Sequence, residues 1–105
     1  MSNGHFVISL DFELYWGVRD KRALADYREN LAGVPRVIHE LIRVYGKYNV
    51  RATFATVGFL FLRDKGEWLR NFPDVLPAYS DAGLSPYSSG VADSINDGNE
   101  KYHFA

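Results

Sequence analysis

The chain of 105 residues has no cysteine, one methionine, four prolines and three histidines. Without cysteine it can form neither disulfides nor thiolate metal sites, so any metal would be held by histidine and carboxylate. It also lacks an excess of positive charge. Twelve lysines and arginines stand against 13 aspartates and glutamates, a formal net charge of −1, which leaves no basic footprint for nucleic acid. No apolar run approaches the roughly 20 residues that span a bilayer. The start, Met1-Ser2-Asn3-Gly4-His5, lacks the basic region and long apolar stretch of a secretory signal. A cytoplasmic protein without nucleic-acid or membrane partners is the expectation. Apolar material is plentiful: 47% of residues are hydrophobic and 15% aromatic, enough for one small core.

Overall balance conceals a division. Residues 1–72 carry 11 lysines and arginines against 8 acids, and residues 73–105 carry one lysine against five acids. The second stretch is also rich in proline, glycine and serine. Its segment Ser80-Asp81-Ala82-Gly83-Leu84-Ser85-Pro86-Tyr87-Ser88-Ser89-Gly90 has no periodicity, which predicts a long loop or a disordered tail. Such a stretch either covers a binding site or awaits a supporting partner.

The sharpest chemical signal lies near the start. His5-Phe6-Val7-Ile8-Ser9-Leu10 is rich in β-branched and aromatic residues, a pattern suited to a strand covered on both faces of a parallel sheet. Asp11 and Glu13 follow, two residues apart. In extended backbone residues i and i+2 share a face, so both carboxylates can project into one site if the strand continues that far. The plainer alternative is a pair of solvated turn residues. Leu14-Tyr15-Trp16 follows at once, and carboxylates flanked by apolar surface suit a metal-binding pair or an acid/base pair with separated pKa values.

Val18 to Asn30 reads as a charged crossover loop, with a short helix around Ala23–Arg28; Arg19 or Arg22 could stand on the rim of a substrate groove. Val34, Val37, Ile38, Leu41, Ile42, Tyr45 and Tyr48 recur at helical spacing, predicting a helix over 34–48 with Pro35 in its first turn. His39 falls among Arg36, Glu40 and Arg43 and reads as a surface residue. Val50–Gly58 reads as a second strand. Strand, helix, strand is a βαβ unit whose strands run parallel and end on one edge, where α/β folds place their sites. A short helix over Phe59–Leu62, a turn at Gly66 and another short helix ending at Pro73 follow. In that last helix Trp68, Leu69 and Phe72 read as packing residues.

Ser9-Leu10-Asp11-Phe12-Glu13 together with Arg51-Ala52-Thr53-Phe54-Ala55-Thr56-Val57-Gly58 resembles the opening of the polysaccharide deacetylase family. The likeness covers residues 5–62. It implies an irregular (β/α) barrel that removes acetyl groups from carbohydrate with a divalent metal, commonly zinc. By position Asp11 matches the family's general base and Glu13 its acidic metal ligand, although many members carry adjacent aspartates there. Thr53 and Phe54 match a structural stretch.

Two departures follow from that likeness. The family completes its metal site with a His-x-x-x-His pair, and this chain has only His5, His39 and His103, without such spacing. A closed α/β barrel also needs about 200 residues or more. The expectation is therefore α/β, with 1–72 an incomplete N-terminal βαβ portion of a deacetylase-like barrel and 73–105 a tail cut before the next barrel element. Acetylated carbohydrate is the expected substrate, and an exposed strand edge predicts self-association. The alternative is a non-catalytic remnant or binding module. Glycoside hydrolysis by the carboxylate pair has no independent support in the sequence.

Overall fold

A computed structural model describes residues 3–104. The fold is mixed α/β. Strand β1 (Ser9–Phe12) leads through a 3-10 turn (Leu14–Gly17) into the long helix α1 (Leu24–Lys47), which returns the chain to β2 (Thr53–Thr56). A second 3-10 turn (Gly58–Phe61) and helix α2 (Lys65–Arg70) follow. A 3-10 turn at Ala82–Leu84, helix α3 (Ser89–Ser94) and a last turn at Glu100–Tyr102 end the series. The two strands pair in parallel, Ser9 opposite Thr53 and Phe12 opposite Thr56, which gives the strand–helix–strand order expected from the sequence.

The strands are shorter than their apolar runs. The ladder opens where Thr53 N–H donates to the Ile8 carbonyl at 3.0 Å; upstream, Phe6 and Val7 are exposed and have no pairing strand. Nor is β1 covered on both faces. Ser9, Asp11, Thr53 and Ala55 are exposed and Leu10, Phe12, Phe54 and Thr56 half-buried, the alternation of a sheet with one covered side.

Helix α1 begins ten residues earlier than the sequence pattern predicts and absorbs the short helix expected at 23–28. Its inward stripe is Leu24, Tyr27, Leu31, Val34, Ile38, Leu41 and Tyr45, every one buried or half-buried, spaced three and four residues apart. Val37, Ile42 and Tyr48, expected on that face, are exposed. Pro35 lies inside the helix and not in its first turn. It removes one backbone donor, but the stripe runs through it without a break. The end is a Schellman motif: Asn49 takes φ 52°, Val50 N–H reaches the Tyr45 carbonyl at 2.9 Å and Asn49 N–H the Gly46 carbonyl at 3.3 Å.

Helix α2 also starts earlier than predicted. Asp64 caps it, accepting from Glu67 N–H at 2.7 Å, so Gly66 sits in its first turn and does not precede it.

The core lies beyond the carboxyl ends of the strands. Trp16, Leu60, Trp68, Ile95 and Phe104 are buried together, with Phe12, Leu14, Val57, Phe59, Leu62 and Phe72 against them. Trp16 meets the rings of Phe59 at 4.9 Å and Trp68 at 5.5 Å. Each such side chain contributes roughly 2–3 kcal/mol of burial. Trp68 Nε1 has no hydrogen-bond partner among the described residues, which costs about 1–3 kcal/mol.

Residues 73–104 supply part of this core and are tied to the rest at several points. Trp16 Nε1 donates to the His103 carbonyl at 2.7 Å, Lys65 Nζ to the Ile95 carbonyl at 3.0 Å, and Lys65 N–H to Glu100 Oε1 at 3.0 Å. Among the described residues no helix is long and apolar enough to cross a membrane.

Candidate functional site

The strand pairing sends Asp11 and the segment after Phe12 to the carboxyl edge of the sheet. Asp11 sits opposite Ala55 on the exposed face of β1. Extended backbone stops at Phe12. Glu13 takes φ −130° and ψ −19° and Leu14 takes φ 50°. The same-face relation expected of residues i and i+2 therefore does not reach Glu13.

A left-handed leucine costs about 1–2 kcal/mol. What holds it is packing, because Leu14 lies against the aromatic core. The turn folds the half-buried Glu13 side chain back over Gly17. A Cβ at Gly17 would collide with the Glu13 carboxylate and stand 2.9 Å from its Cβ and Cδ, so only glycine lets the acidic side chain lie there.

Asp11 and Glu13 nevertheless line one cleft of about 320 Å³, between β1 and the inward stripe of α1. Its walls are Leu10, Phe12, Phe54, Leu31 and Ile38, and its other polar members are Tyr27 and Asn30. Neither carboxylate makes a hydrogen bond or ion pair among the described residues. Both oxygen pairs can accept from a ligand. Two free carboxylates above an apolar floor, with a phenol and an amide nearby, can take a proton from water or hold the hydroxyls of a polar substrate.

Tyr27 and Asn30 were not expected here, since the charged stretch 18–30 reads as a loop. The signal was present in Tyr27-Leu31-Val34, which continues the helical spacing one turn upstream.

The three histidines stay apart from this cleft. His5 and His39 are exposed, and His103 is buried in the last turn. Among the described residues no group of three histidine, aspartate or glutamate side chains is placed to hold a metal ion. Two carboxylates without imidazole do not make the donor set that zinc takes, so the residues described do not by themselves fit the metal implied by the resemblance.

Arg19 and Arg22 do not line the cleft. Arg19 instead holds the Ala82–Leu84 turn, Nη1 donating to the Gly83 carbonyl at 3.4 Å and Nη2 to the Leu84 carbonyl. Arg22 gives its own carbonyl to the Tyr15 hydroxyl at 2.8 Å.

His103 has a lowered pKa. Burial pushes it below its ordinary value, against the Asn99 carbonyl and the Glu100 charge, which pull it up.

No family model, curated protein or solved structure matched this chain. What can be said of function rests on the cleft.

Proposed function

We propose that this chain carries the carboxylate part of a polysaccharide deacetylase-like hydrolase, acting on the acetyl groups of carbohydrate. One observation carries the reading. Asp11 and Glu13, the two carboxylates of the family-like motif, line one open cleft at the carboxyl edge of a parallel strand pair, with no partner for either among the described residues. In this role Asp11 is the general base, taking the proton of a water that adds to the acetyl carbonyl. Glu13 matches the family's acidic metal ligand by position alone; the described residues do not complete a zinc donor set, and no step here passes through the metal. Leu10, Phe12 and Phe54 supply an apolar floor for the acetyl methyl, while Tyr27 and Asn30 offer hydrogen bonds to sugar hydroxyls.

A second reading, a carbohydrate-binding module without turnover, is favoured by the missing third metal donor. Acetate release from an N-acetylated sugar oligomer, measured with zinc supplied, separates the two. Deacetylation that falls at least about 100-fold in Asp11→Asn supports the hydrolase. Sugar binding by calorimetry with no acetate released, and unchanged in Asp11→Asn, supports the binding module. Acetate release equal in wild type and Asp11→Asn removes Asp11 from its role.

A further inference from the structure

On the other side of the Leu14–Gly17 turn lies a second pocket, of about 360 Å³, lined by Tyr15, Arg19, Gly83, Ser88, Ser94 and His103 among others. It shares no residue with the Asp11/Glu13 cleft. We propose that this pocket binds a small oxyanion, a carboxylate or a phosphate, together with one proton. The proposal is independent of the hydrolase reading.

Charge is the first argument. Arg19 is the only lysine or arginine in the lining, and no carboxylate accompanies it. Its guanidinium has five N–H donors in a fixed plane. Two are engaged by the Gly83 and Leu84 carbonyls, which fixes the group's orientation and leaves three to give. Ser88 is the second donor. It precedes α3 at the capping position, yet its hydroxyl makes no cap hydrogen bond and is available to a ligand.

His103 is the third and most informative. The residue is 2% exposed, with its ring edge-on to Tyr15 at 5.3 Å and Trp16 at 5.5 Å. Nδ1 lies 3.0 Å from the Asn99 carbonyl oxygen. A carbonyl only accepts, so Nδ1 carries the hydrogen, and in the neutral ring Nε2 is a bare lone pair. Nε2 has no partner among the described residues, and it is not among the fully enclosed unpaired atoms, of which only Trp68 Nε1 is found. His103 lines the pocket, and Nε2 is the one ring nitrogen left without a partner among the described residues.

A lone pair repels a bare anion, so the ion and a proton arrive together. Either the ligand brings an acidic O–H that donates to Nε2, or the ring takes a proton from solvent and donates to the ligand. The charges facing the ring fit the second route as well. Glu100 on the same turn favours a charged ring, Arg19 lines the same pocket, and the Tyr15 hydroxyl is occupied by the Arg22 carbonyl. The ligand thus bridges the Arg19 guanidinium and the protonated ring.

The test follows the His103 imidazole resonances through a pH titration of the full chain in sodium phosphate, in sodium acetate and in sodium chloride of equal ionic strength. The proposal expects a saturable shift and a raised His103 pKa in phosphate or acetate but not in chloride. It also expects an affinity that falls about tenfold per pH unit between the free-state and the bound-state pKa and levels off above the latter. Response to one anion alone identifies the ligand as phosphate-like or carboxylate-like. Arg19→Gln also frees the Ala82–Leu84 turn, so Ser88→Ala, which leaves α3 without any lost cap, is the decisive variant. It should weaken binding about tenfold. His103 titrating identically in all three salts, or a shift that Ser88→Ala leaves intact, overturns the site.

Discussion

The aromatic cluster and the sheet–helix cleft are both lined by apolar side chains, yet only the first is a packed interior. Trp16, Leu60, Trp68, Ile95 and Phe104 are all buried, drawn from segments far apart in the chain. Helix α1, with 24 residues and a regular apolar stripe, buries only Leu31 fully. Between that stripe and β1 lies the cleft holding Asp11 and Glu13. The difference teaches where stability and chemistry sit: large rings from three segments interlock and exclude water, whereas one helix standing off two short strands leaves open space beside them.

The largest expected break of this contrast comes from paired truncations. Trp16→Ala should cost about 3–5 kcal/mol, and Val37→Ala, at an exposed position of α1 beside the cleft, no more than about 0.5 kcal/mol. Urea unfolding midpoints of the two variants measure it, and equal losses would mean that the helix, too, belongs to a packed interior. Next comes Pro35→Ala, which restores a backbone donor inside α1 and should raise helicity and stability by about 1–2 kcal/mol. Circular dichroism and urea unfolding read both.

A third test uses pH on the aromatic side. Burial holds His103 below its ordinary value of 6.5, so in an acid window the unfolded chain binds more protons than the folded one. Its stability contribution is then fully present above about pH 6.5 and is lost as the pH falls from there toward the folded value. Urea midpoints at about pH 7.5 and about pH 5 should differ more in wild type than in His103→Phe, which cannot be charged. The comparison calls for a buffer without phosphate or acetate.

The two strands and the helix between them were legible as local patterns, apolar runs of β-branched and aromatic residues for the strands and a period near four for the helix, and the parallel pairing followed from their order. The start of α1 was not, since Asp26, Arg28 and Glu29 are exposed and hide the inward Leu24, Tyr27 and Leu31 among charges. Asp11 and Glu13 were legible as a pair, and they do share a cleft. How they come to share it was not legible, because the left-handed Leu14 and the close approach of Glu13 to Gly17 depend on packing against Trp16. Least legible was the role of 95–104. Ile95, Tyr102 and Phe104 are isolated in sequence and acquire partners only in three dimensions, as tertiary contacts override weak local preference.

The hydrogen bond from Trp16 to the His103 carbonyl joins residues 87 positions apart, and this has a consequence for birth at the ribosome. Trp16 leaves the exit tunnel early, but its partners Ile95, His103 and Phe104 follow only after nearly the whole stretch between them has been translated. At roughly 5–20 residues per second, that is an interval of several seconds or more. During it the strand–helix–strand unit can assemble locally while an indole and its neighbouring rings remain in water. The nascent chain therefore offers a holding chaperone a defined aromatic target, and synthesis of Ile95–Phe104 removes it.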